Sequence, residues 1–162
     1  MSASHTSHDG HGILVSVICR TVGRPTLATA LDSLARQDHS TLEVILVNAA
    51  DTDLQDKIPP EFPHPVKHVG SDTHLSRPEA ANLGLESSAG EYLLFLDDDD
   101  WIAPEHISNL VTALTDNSKV IVAYSSTAKI TEQGEPTGLA FNQDYDPVLL
   151  MQDNYIPIHA AL

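Results

Sequence analysis

At 162 residues the chain has the length of one domain and enough sequence to bury a real core, and with 41% hydrophobic residues it has a globular composition. Its formal net charge of −15, with only 8 Lys plus Arg, excludes the basic face that a nucleic-acid backbone requires, and one Trp, three Phe and four Tyr leave few stacking platforms for single strands. One cysteine, Cys19, excludes an internal disulfide, and no apolar stretch reaches the ~18 residues of a membrane span.

Residues 1–12, MSASHTSHDGHG, read as a disordered leader followed by a single domain over 13–162. His5, His8 and His11 share a spacing that could chelate a metal, but small polar neighbours favour a loose tail. No charged region precedes an apolar one, so a signal peptide is not expected. A buried, inert Cys19 thiol is compatible with a reducing, cytoplasmic setting.

Ile13–Ile18 reads as the first strand, with Cys19 as a possible extension. Arg20–Arg24 forms a loop, and Pro25 opens a helix on which Leu27, Ala30, Leu31 and Leu34 recur to about Gln37. Two of the chain's four arginines, Arg20 and Arg24, therefore sit at a strand end, either as surface charges or as ligand contacts. Leu42–Val47 is a second strand running into Asn48–Asp53, where Asp51 and Asp53 either cap the next turn or meet a nucleoside.

Asp56–Pro65 carries four prolines and reads as irregular connection, followed by a short strand over Val66–Val69. A helix is expected from Arg77 to about Ser87 and stops at Ala89-Gly90. Asn82 and Gly84 are poor helix formers inside it, which predicts a polar contact for Asn82 and tight packing for Gly84.

Tyr92–Leu96 then reads as a strand buried on both faces, and it delivers four consecutive carboxylates, Asp97–Asp100. Such a run repels itself unless a solvated turn or a divalent cation relieves it, and hard cations take carboxylate oxygens. Apolar residues on both sides, and a place beyond the carboxyl end of a strand, favour a metal-and-phosphate site.

Pro104 precedes an amphipathic helix reaching about Asp116, marked by Ile107, Leu110, Val111 and Leu114. Lys119–Tyr124 reads as a fifth strand, and Ala128–Thr131 with Thr137–Phe141 as a hairpin about Gln133–Pro136. Leu149–Met151 suggests a helical turn, and Asn154–Leu162 is apolar without a closing element. The alternation of strands and helices argues an α/β sandwich around a mostly parallel sheet. Right-handed crossovers would bring three loops, Arg20–Arg24, Asn48–Asp53 and Asp97–Asp100, to one edge.

VSVICRTVGRPTLATALDSLARQ resembles the opening strand and helix of family 2 glycosyltransferases of the GT-A fold. SRPEAANLGLESSAGEYLLFLDDDDWIAPEHI resembles their arginine-bearing helix and DxD strand, and the likeness is good over about Ile13–Asn109 and looser beyond. The resemblance implies a three-layer Rossmann-like sandwich, cut short at its C-terminus, that binds a nucleoside-diphosphate sugar with Mn²⁺ or Mg²⁺ and passes the sugar, with inversion, to an acceptor hydroxyl.

By position it implies that Asp97 and Asp99 hold the metal, with Asp99 the direct ligand, and that Asp97 or Asp98 lies near the donor's ribose or sugar. Arg77 approaches the diphosphate, and Arg20, Thr21, Arg24, Asn48, Asp51 and Asn82 complete the donor contacts. The family's Asp-Asp-Gly-Ser-like run is Asn48-Ala49-Ala50-Asp51 here, so either Asn48 or Asp51 substitutes or the base differs.

The general base of an inverting member falls beyond Leu162, and Asp144, Asp146 and Asp153 lack its context. The alternative implied is a nucleotide-sugar-binding fragment or remnant without that base. A nucleotidyltransferase would need a Gly-rich, Lys/Arg-bearing opening loop, and an Asp-nucleophile phosphatase an acid pair where Cys19-Arg20-Thr21 stands; both rank lower.

Overall fold

A computed structural model describes residues 12–162 apart from 51, 118 and 132, and of residue 55 the backbone alone. Asp51 and the expected leader histidines His5, His8 and His11 lie outside the described residues.

Four strands make a parallel sheet in the order β3-β2-β1-β4: β1 Val15–Thr21, β2 Leu42–Asn48, β3 Val66–Gly70 and β4 Tyr92–Asp97. The register aligns their carboxyl ends. Thr21 pairs with Asn48, Asn48 with Gly70 and Arg20 with Asp97, so the loops that follow leave the sheet at one level.

Alternation along the strands sorts the core into two layers. Val15, Val17, Cys19, Val44, Leu46, Leu94 and Leu96 pack with Leu27, Ala30, Leu31 and Leu34 of helix α1 (Leu27–Ala35) and with Ile107, Leu110, Val111 and Leu114 of helix α3 (His106–Thr115). On the other face Ile18, Ile45 and Val47 meet Ala80 of helix α2 (Arg77–Ser87). The result is the expected α/β sandwich of three layers with a parallel sheet at its centre. A Cβ at Gly84 would lie 2.3 Å from Ile18 Cγ2, so α2 sits on β1 more closely than any side chain allows. That is the tight packing expected of this glycine.

Three sequence readings change. β1 is the strand buried on both faces. β4 lies at the sheet edge with Leu93 exposed, because α2 covers Ile18 and Val47 rather than the outer strand. Lys119–Tyr124 is not a fifth strand. Ile121 is 87% exposed, and a strand needs a row of partner groups. Here Ala123 exchanges two hydrogen bonds with Leu162, Ser125 N donates to Ala160 O, and a single antiparallel bridge joins Tyr124 to Ala161. Asn154–Leu162 in turn holds a 3-10 turn, Ile158–Ala160, with Leu162 buried. The hairpin is present as β5 (Thr127–Ile130) against β6 (Pro136–Phe141), and a short helix α4 spans Pro147–Gln152. Among the described residues no helix is long and apolar enough to cross a membrane.

Candidate donor and metal site

Beyond the aligned strand ends lies a cleft of about 270 Å³, lined by residues of four segments: Arg20–Arg24, Ala49, His74–Ala80 and Asp97–Asp99. Local chemistry builds each wall.

The four acids differ sharply. Asp98 is 2% exposed, and both of its carboxylate oxygens are engaged within the fold. Its Oδ2 accepts from Thr21 Oγ1 at 2.6 Å and from Val22 N at 3.2 Å, and its Oδ1 accepts from Arg24 Nη1 at 2.9 Å. Thr21 Oγ1 in turn accepts from Gly23 N at 2.8 Å. Gly23 holds φ +82°, a left-handed conformation that suits glycine, and a Cβ there would come within 2.9 Å of Thr52 Oγ1. Asp98 is thus the tie that folds the β1–α1 loop over the end of β4. A buried carboxylate is tolerable because three donors replace its water.

Asp97, Asp99 and Asp100 face outward. Each offers a carboxylate oxygen, and these oxygens lie within 4.8 Å of one another. One oxygen of each is held by a basic group: Asp97 Oδ1 by Arg20 at 2.6 and 2.9 Å, Asp99 Oδ2 by Arg24 at 3.0 Å, and Asp100 Oδ2 by His159 Nδ1 at 3.0 Å. The second oxygen of each has no hydrogen-bond partner among the described residues. Three hard oxygen donors with oxygens in hand fit Mg²⁺ or Mn²⁺.

The basic side chains also differ. Arg20 is 13% exposed, with its guanidinium 5.5 Å from the Phe95 ring centroid, and is fixed in place. Arg24 is 47% exposed. Arg77, the first residue of α2, is exposed, lines the cleft, and makes no hydrogen bond or ion pair among the described residues. Its helix start is fixed by Glu79, whose carboxylate accepts from Ser76 N at 2.8 Å and Ser76 Oγ at 2.6 Å. Those bonds hold the Glu79 carboxyl below its ordinary range.

Asn48 spends its side chain inside its own loop: Oδ1 accepts from Ala50 N, Thr52 N and Thr52 Oγ1, each at 3.3 Å, and Nδ2 donates to Thr52 O. It lines a second hollow with Thr52, Asp53, His68 and Asp72, beyond the ends of β2 and β3. Asn82 is exposed on α2, does not line the cleft, and its side chain makes no hydrogen bond among the described residues, so its expected polar contact is not one within the described fold.

Cys19 is buried, and burial first, then Asp98 and Asp97, push its thiol up to about 12. That matches the inert thiol expected. His106 is held below its ordinary pKa chiefly by burial. Sequence reasoning missed His159 and His74. His159 belongs to the apolar stretch Asn154–Leu162, and a lone histidine in IPIHAA was its only signal. The fold carries it back along the chain to Asp100.

Comparison with known proteins agrees with this geometry. The model of the family described as glycosyl transferase family 2 matches residues 15–155. An uncharacterized glycosyltransferase of Haemophilus influenzae is 30% identical over 112 residues, covering 68% of this chain and 38% of that protein. The Bacillus subtilis glycosyltransferase YwdF, also uncharacterized, is 26% identical over 155 residues, covering 88% of this chain and 55% of its own. Among solved structures, S. aureus TarS 1–349 in complex with UDP-GlcNAc superposes with TM-score 0.63 at 26% identity, over 77% of this chain and 37% of that one. A parallel sheet with helices on both faces that superposes on TarS in this way is the N-terminal part of a GT-A sandwich. This chain belongs to glycosyl transferase family 2. It spans 38% and 55% of the two curated relatives named above.

Proposed function

We propose that this chain binds a nucleoside-diphosphate sugar together with Mn²⁺ or Mg²⁺ and belongs to an inverting transferase that passes the sugar to an acceptor hydroxyl. The observation that carries the reading is the meeting, in one cleft, of an outward carboxylate cluster with Arg24 and the unpaired Arg77. The TarS structure, solved with UDP-GlcNAc, supports a nucleotide-sugar donor.

Asp97 and Asp99, with Asp100 beside them, would hold the ion. When bound, a divalent cation supplies Lewis-acid stabilisation of the charge that grows on a departing diphosphate. The chain's own residues do the rest. Arg77 offers planar N–H donors to phosphate oxygens, and such charge-assisted bonds strengthen as negative charge develops. Arg20 holds Asp97 in one rotamer. Asp98 and Thr21 keep the β1–α1 loop closed on β4, so the cleft is formed before the donor arrives. The Asn48 loop and the hollow beside it take the nucleoside side.

Thermal shift and calorimetry with Mn²⁺ plus UDP, GDP or dTDP test the reading. Stabilisation by one of these nucleotides only when metal is present is the expected result. Asp99→Ala abolishes that dependence with the melting temperature of the free protein unchanged, because the Asp99 side chain is 55% exposed. Equal nucleotide affinity with and without metal sinks the assignment. Sugar transfer to water or to an added acceptor then separates a catalytic unit from one that only binds.

A further inference from the structure

Among the described residues Arg24 is the one basic side chain that reaches two of the four acids, through a single nitrogen. Nη1 donates to Asp98 Oδ1 at 2.9 Å and to Asp99 Oδ2 at 3.0 Å. The two acceptors are unlike. The Asp98 side chain is 3% exposed and already holds Thr21 and Val22, whereas Asp99 is 55% exposed and belongs to the cluster that fits a cation. The remaining N–H donors of Arg24, on Nε and Nη2, have no acceptor among the described residues, and the side chain lines the cleft. Arg20 behaves oppositely: two nitrogens grip one oxygen of Asp97, and the guanidinium is packed against Phe95.

We propose that Arg24 is an exchangeable counter-charge: it neutralises Asp99 while the cation is absent, and it transfers its free donors to the donor diphosphate when the cation takes Asp99. The inference rests on the donor-binding reading above and adds a coupling to it. A guanidinium and a divalent cation on the same carboxylate repel each other across a few ångströms. Cation binding therefore loosens the Arg24–Asp99 contact. The Asp98 contact remains as a pivot, and diphosphate oxygens are the strong acceptors that satisfy the released arginine. Cation and diphosphate then bind more tightly together than apart, and linkage makes the gain equal in both directions. Arg24 contributes to that gain by opposing the cation when it is alone and by binding the phosphates when both are present.

The test is Mn²⁺ affinity, measured by calorimetry on the whole chain, alone and with saturating UDP or GDP. In the unaltered protein nucleotide tightens Mn²⁺ binding. In Arg24→Gln, Mn²⁺ alone binds about two- to fivefold more tightly, the scale of losing one partly exposed opposing charge, and the tightening by nucleotide shrinks. Mn²⁺ binding no tighter than in the unaltered protein, or an unchanged nucleotide effect, overturns the proposal and leaves the donor reading standing. No metal-dependent nucleotide binding in the unaltered protein overturns both.

Should Arg24→Gln fail to fold, arginine side-chain NMR of the unaltered chain decides. The Arg24 Nε–H resonance is expected to shift on adding Mg²⁺ alone and to shift again on adding nucleotide. A resonance unmoved by both overturns the exchange.

Discussion

The parallel-sheet body, residues 15–115, and the segment from 120 to 162 contrast in what holds them. In the body, β1 and β2 are buried almost without break, both faces of the sheet carry helices, and the site grows from aligned strand ends. In the later segment β6 is exposed along nearly its whole length, and Leu139 is 62% and Met151 81% exposed; the Tyr124–Ala161 bridge lies within the segment, which meets the body through buried Ala123 and Leu162, the His159–Asp100 pair and the contacts of His106 with His159 O and Ser125 Oγ. Exposed apolar surface of this kind marks a face suited to further contact. The candidate site therefore grows from the densely buried sheet body, while the region following it adds Ala123 and Leu162 to the core and His159 to the acid cluster.

Substitutions in the two regions should differ in what they cost. Leu94→Ala removes a fully buried side chain of β4 that packs with the α1/α3 layer and should cost about 2–5 kcal/mol by chemical denaturation; a loss under about 1 kcal/mol would mean that the body is not the core. Arg77→Ala should weaken metal-dependent nucleotide binding by about 1.5–3 kcal/mol, the range for hydrogen bonds to charged groups, with the denaturation midpoint unmoved. A loss confined to stability would return Arg77 to a structural role.

Asp98→Ala leaves Thr21 Oγ1, Val22 N and part of Arg24 without their acceptor, so stability should fall by about 1–3 kcal/mol, in contrast to its neighbour Asp99. Equal, negligible effects for both acids would dissolve the distinction between the buried tie and the outward ligands. Leu139→Ala in the hairpin should change stability by about 0.5 kcal/mol or less, and a larger loss would show that the hairpin shares the core.

Much of the body was legible because its signals are local. Pro25, the period of Leu27, Ala30, Leu31 and Leu34, and the apolar runs before Arg20, Asn48 and Asp97 each depend on neighbours along the chain. Gly84 was legible as a packing residue because propensity alone argues against it. The reading failed at Lys119–Tyr124 for the complementary reason: VIVAY has strand propensity, but a strand exists only where another backbone presents its groups. Within the site, the candidate acids and arginines could be named from the sequence, and their division of labour could not. Four identical side chains in a row carry no local mark that makes Asp98 buried and Asp99 exposed.

By itself, then, the sequence determined the α/β class, the order of the elements and the family, because periodicity, breakers and a strand-end acid run are properties of contiguous residues. Only the tertiary structure decided which acids face the cleft, that Arg20 and Arg24 meet the quartet 77 and 74 positions away, and that His159 reaches Asp100. Those pairings arise from strand register and from packing between segments distant in the chain, and no spacing within either partner encodes them.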